Sequence, residues 1–249
     1  KGVAKNTYGT GCFILLNAGG SPPRLHSGLI STIAWSLNNK ITYSLEGSVF
    51  IGGAVIQWLR DRLGILKKAS DTELIGYQTP SSGGVFFVPA LTGIGAPYWN
   101  MYARGLIIGI TRDTTRNQII RAALESICLQ TVDVLEAMAR TTKNRLRSLR
   151  VDGGASVNNF LMQLQADLLG IPIQRSAVPE TTALGAAFLA GLAVGVWDDL
   201  NELEDLRSVD RVFRPSMLAD VRAEIRKGWK RAVQRALDWA TPGRSSRPS

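Results

Sequence analysis

The 249-residue chain is 45% hydrophobic and 20% charged, ordinary for a soluble globular protein, and long enough to bury a sizeable core as one large domain or two small ones. Its two cysteines, Cys12 and Cys128, exclude a disulfide framework, and its longest apolar stretch, residues 183–196, is too short and too interrupted by Gly185, Gly191 and Gly195 for a membrane span. The net charge of +9 is concentrated at one end: residues 206–249 hold 11 Lys/Arg against 4 Asp/Glu, a surplus of +7, so a globally basic nucleic-acid surface is not indicated.

In chain order, the sequence begins at Lys1 and not Met, which suggests a piece whose start lies upstream. Residues 7–16 alternate loosely and carry β-formers, Asn17 to Pro23 is a turn cluster, and residues 29–35 read as a returning strand. Residues 40–45 are a further strand after a turn at Asn38-Asn39, ended by Glu46-Gly47. Gly52 and Gly53 precede a helix with Val55, Ile56, Leu59 and Leu63 inward. A short helix and a Ser-Ser-Gly-Gly loop fill residues 70–84, residues 85–88 are a short strand, residues 90–105 a long irregular loop, and residues 105–111 another strand.

Thr114 or Thr115 can cap the longest helix, which runs to about Arg140 and buries Ile120, Leu124, Ile127, Thr131, Val134, Leu135 and Met138. Residues 149–151 are a buried strand, residues 158–169 a helix, and residues 173–175 a strand. Thr181 or Thr182 caps an apolar helix over residues 183–194, and a basic amphipathic helix from about 218 to 239 packs Ile225 and Trp229 inward. The Ser/Pro/Arg-rich residues 241–249 read as a disordered tail. Strands followed by alternating strands and helices make an α/β pattern with a mixed sheet.

Three glycine motifs can carry chemistry. In Tyr8-Gly9-Thr10-Gly11 two glycines bring backbone N–H groups close to an anion, and Thr10 can donate to a phosphate; an ordinary hairpin is the alternative. Asp152-Gly153-Gly154 ends a strand just before a helix, where ligands of α/β sheets sit, and Asn158 can read a base or ribose edge or only cap the helix. Gly53 and Gln57 share a face of a helical first turn, as a cap or as a close ligand contact. The bland reading holds for His26, a solvated loop residue with no second histidine for a metal site, and for Tyr98-Trp99, which read as packing. Nothing brings Glu46 and Asp152 together. The P-loop and protein-kinase motifs are absent.

Taken together, residues 4–13 (AKNTYGTGCF), 45–50, 56–60, 88–99, 103–105, 151–154, 158–162 and 182–187 resemble the C-terminal half of the glycerol kinases, within the FGGY-type carbohydrate kinases. The resemblance implies an actin-like, ribonuclease-H-like fold, with residues 1–240 as the C-terminal nucleotide-binding lobe. It implies ATP, with Mg²⁺, as phosphoryl donor and glycerol as acceptor, in a cytoplasmic enzyme giving sn-glycerol 3-phosphate. Thr10 then lies at the phosphates, Gly53 and Gln57 near phosphate and ribose, Gly154 and Asn158 at the adenosine, and Phe13 against the glycerol carbons. No catalytic or metal-ligating residue is assigned within this chain, because the expected base lies upstream of Lys1, and the chain alone is expected to be inactive. No nucleic-acid partner and no stable membrane insertion are expected, and homo-oligomer formation is left open. Another polyol or sugar kinase of the same family and a non-catalytic actin-like nucleotide-binding module are the alternatives.

Overall fold

A computed structural model describes residues 3–25, 28–142 and 146–240. Strict alternation builds the first two strands: β1 (Val3–Tyr8) turns Ala4, Asn6 and Tyr8 inward, and β2 (Cys12–Gly19) does so with Cys12, Ile14 and Leu16. A tight hairpin at Asn38-Asn39, with φ of 49° and 59°, joins β3 (Ile30–Leu37) to β4 (Lys40–Val49). Next come α1 (Ala54–Asp61), α2 (Asp71–Gln78), the small antiparallel pair β5 (Phe86–Val88) and β6 (Leu106–Ile108), and the long α3 (Arg116–Thr142). Beyond it lie β7 (Ser148–Asp152), a one-turn 3-10 helix (Gly154–Val157), α4 (Asn159–Leu169), β8 (Ile173–Ser176), α5 (Thr181–Ala193), α6 (Leu200–Asp205), β9 (Val209–Phe213) and α7 (Ala219–Ala236).

The main sheet runs β3-β4-β2-β1-β7-β8-β9; β7 pairs parallel with both β1 and β8, and the other pairs are antiparallel. The mixed α/β expectation is therefore met. α3 packs on one face of this sheet and also meets α1, α2, α4 and β5, which is why it is buried on most sides. Its start is a reciprocal cap, as the sequence suggests for Thr115: Thr115 N–H donates to Gln118 Oε1 (2.8 Å) and Gln118 N–H to Thr115 Oγ1 (3.4 Å). α7 lies on the small sheet, where Gly228 leaves room for the Phe86 ring.

Some local expectations change. The strand expected to end at Glu46-Gly47 continues to Val49, because Gly47 pairs with Ile14 and lies under α3, where a Cβ would stand 2.4 Å from Val134. α5 starts at Thr181 after Glu180, so neither threonine caps it; the Thr181 hydroxyl donates instead to Asp152 Oδ2. Leu63 lies beyond α1 and is exposed. Neither α6 nor β9 is foreseen from the pattern. His26 and the tail at 241–249 lie outside the described residues. Among the described residues no helix is long and apolar enough to cross a membrane.

Candidate functional site

The three glycine motifs meet at the carboxyl ends of β1 and β7. The turn after β1 is docked on the start of α1 by three backbone bonds: Gly52 N–H and Ala54 N–H donate to Thr10 O (2.8 and 3.1 Å), and Gly53 N–H donates to Gly9 O (2.8 Å). These bonds occupy the N–H groups of residues 52–54 at the start of α1, and the Thr10 side chain is exposed at the tip of the turn. Gly53 is the N-cap of α1, and a Cβ there would lie 2.8 Å from Gly9 O; the docked turn itself requires the glycine. Gln57, one turn along α1, is exposed.

The second loop is pressed against the first strand. Gly153 has φ of +88°, and a Cβ there would stand 2.6 Å from Tyr8 O. Gly154, the next residue, is exposed, and nothing lies within 4 Å of where its Cβ would be. The Ala155 methyl is 3.9 Å from the position of a Gly53 Cβ, so the two loops adjoin. Asn158 caps α4: its Oδ1 accepts from Leu161 N–H (2.9 Å), and its Nδ2 donates to Thr72 Oγ1 of α2 (3.1 Å). The capping alternative for Asn158 is thus realised, with half of its amide capacity already engaged.

Register places Asp152, Thr7, Phe13 and Ser48 in one row across four strands, on the face opposite α3. Phe13 is 53% exposed there. The carboxylate in this row is already engaged: Asp152 Oδ2 lies 3.0 Å from Lys5 Nζ and accepts from Thr181, while Lys5 also reaches Thr7 and, at 3.4 Å, Thr182. Through Oδ2 this carboxylate anchors α5, while its Oδ1 is buried without a hydrogen-bond partner. Glu46 is on β4, with β2 and β1 between it and β7, and does not join it. Cys12 sits beneath the turn, and burial pushes its thiol up to about 12, so it stays a thiol at neutral pH.

Sequence reasoning missed the residues that hold the second loop. Arg175 of β8 donates to the carbonyls of Ser156 (2.9 Å) and Val157 (3.2 Å), and its Nε donates to Asp210 Oδ2 (2.6 Å). On the other side, Glu73 of α2 accepts from the backbone and side-chain amides of Asn159 (3.2 and 2.9 Å). The available signal was an arginine two residues from Ile173, on the inward side of a short strand.

Residues 4–194 match the C-terminal domain of the FGGY family of carbohydrate kinases, and the chain belongs to that family. Among its relatives, glycerol kinase 2 of Thermotoga maritima is 58% identical over 238 residues, and the glycerol kinase of Alkaliphilus oremlandii 56% over 239. Each alignment covers 96% of this chain but 48% and 47% of the relative, so the chain spans about half the length of the proteins it matches. Among solved structures, Plasmodium falciparum glycerol kinase with ADP is similar at a TM-score of 0.88 and 38% identity, over 94% of this chain and 47% of that one. A ligand-bound xylulose kinase from Lactobacillus acidophilus follows at 0.81 and 26%, over 93% and 46%. The fold is the expected actin-like, ribonuclease-H-like one.

Proposed function

We propose that residues 1–240 are the C-terminal, nucleotide-binding lobe of a cytoplasmic glycerol kinase, which transfers the γ-phosphoryl group of MgATP to glycerol and releases sn-glycerol 3-phosphate. The observation that carries this is the convergence of the Thr10, Gly53 and Gly154 turns in a chain whose relatives at 55–58% identity are glycerol kinases. Thr10 donates its hydroxyl to the phosphates. Gly53 and Gln57 line the phosphate and ribose region, and the open space over Gly154 admits the adenosine flat against backbone, beside Asn158. Phe13 offers an apolar wall to the acceptor's carbons. Mg²⁺ arrives with the nucleotide: among the described residues no His, Cys, Asp or Glu cluster forms a metal site, and phosphates commonly supply much of a Mg²⁺ coordination shell. The chain's share of catalysis is positioning, which dominates phosphoryl transfer. Two buried free thiols fit a reducing compartment.

The test is calorimetric titration of the chain with MgADP. Saturable binding is expected, and Gly154→Val should abolish it with little change in the thermal melt, because nothing lies within 4 Å of where a Cβ would stand. A folded chain that binds no MgADP would overturn the reading.

A further inference from the structure

The loop that carries Gly154 and Asn158 has little stability of its own. Its 3-10 turn is four residues long, and its last carbonyls have no helical partner. Arg175 supplies that partner, bridging the carbonyls of Ser156 and Val157 with one guanidinium nitrogen. A charged donor makes these bonds stronger than neutral ones. The guanidinium is held on two sides and largely buried. Its Nε is held by Asp210 at 2.6 Å, its carbon lies 5.4 Å from the centroid of the Phe213 ring, and its side chain is only 14% exposed.

Asp210 reaches this position through a break in β-pairing. Arg175 faces Arg211, but Ser176 faces Val209, so Asp210 is the extra residue of a bulge, and bulges re-aim side chains. From the same strand Arg211 donates to Asn159 Oδ1 (3.2 Å) at the start of α4. The short edge strand β9 therefore grips both ends of the stretch from Ser156 to Asn159.

We propose that Arg175, oriented by Asp210, is a positioning residue for the nucleoside end of the nucleotide site. It touches neither substrate and acts by fixing the backbone between Gly154 and Asn158. The Thr10 turn, held separately by Gly52, Gly53 and Ala54, does not depend on it. The inference rests on the nucleotide-binding reading above and adds a division within it: the phosphate end is built by β1 and α1, and the nucleoside end is braced from β8 and β9.

The experiment is titration of the 249-residue chain, and of its Arg175→Met, Arg175→Lys and Asp210→Asn variants, with MgADP and separately with magnesium pyrophosphate, alongside thermal melts without ligand. Arg175→Met should weaken MgADP by about tenfold, the loss of one charged bridge, with pyrophosphate affinity unchanged. Arg175→Lys, whose ammonium lacks the planar fork, should recover part of the loss, and Asp210→Asn should show a smaller loss of the same kind. If Arg175→Met melts early, the Lys and Asn variants carry the comparison. Unchanged MgADP affinity, or equal loss of both ligands, would overturn the inference alone. Wild-type chain that binds no MgADP would overturn the nucleotide reading and this inference with it.

Discussion

Gly153 and Gly154 are neighbours with different duties. At Gly153 a Cβ would meet three backbone atoms of Tyr8 within 2.9 Å, on a residue already at φ of +88°. Gly153→Ala should cost at least roughly 2 kcal/mol in urea unfolding, since both strain and overlap oppose it. Gly154→Ala should leave stability within about 0.5 kcal/mol, because nothing lies near the added methyl. Equal losses at the two sites would contradict this split between a glycine the fold requires and one it does not. Sequence alone could not divide them, since both stand in one Gly-Gly pair and the difference lies in how β1 passes beneath the first.

Asp133 ties three elements together. It sits buried on α3 and accepts at one oxygen, Oδ2, from Tyr98 of the long loop (2.9 Å) and from Trp229 of α7 (2.7 Å). Burial raises its carboxyl from an ordinary 3.8 to about 6, against the two hydrogen bonds, with Glu136 adding to the rise and Lys230 opposing it. The folded chain therefore keeps this proton at pH values where the unfolded chain has lost it. Stability from Asp133 falls as pH climbs from about 4 to about 6 and is flat above, by roughly 3 kcal/mol in all. Asp133→Asn removes this titration, so its stability relative to wild type should improve by about that amount between pH 4 and pH 7.5. Urea melts at both values check it, and a gap that does not move with pH would refute it. Tyr98 and Trp229 thus do the packing work the sequence suggests for the loop aromatics and the last helix, but their shared carboxylate is 96 residues from one of them and invisible to local pattern.

At the scale of the molecule, one face of the main sheet is packed by α3 and the other presents Phe13 and Leu15 to solvent. The three glycine turns lie at the edge of that open face. On it, Asp152 is bound through Oδ2 to Lys5 and Thr181. Phosphoryl transfer needs an acceptor held in line and a base able to take its proton. The 249-residue chain with MgATP and glycerol should therefore form no glycerol 3-phosphate above an enzyme-free blank in a coupled assay. Measurable glycerol-dependent turnover would show that half of the cleft suffices.

Much of this was already determined by the order of residues. The loose alternation over residues 7–16 marked β-structure there without dividing it into β1 and β2, the Asn38-Asn39 turn set the β3–β4 hairpin, and the buried stripe with its Thr115 cap set α3, because each depends on neighbours within a few positions. The same locality made the three glycine motifs visible as candidates. Tertiary structure alone decided that they meet, that Gly47 is a packing site within β4, that Thr181 anchors to Asp152, and that Arg175 reaches the second loop with a bulged Asp210 behind it. Those outcomes depend on which strand lies beside which, and burial of a face by a distant segment leaves no periodic trace in the segment it covers.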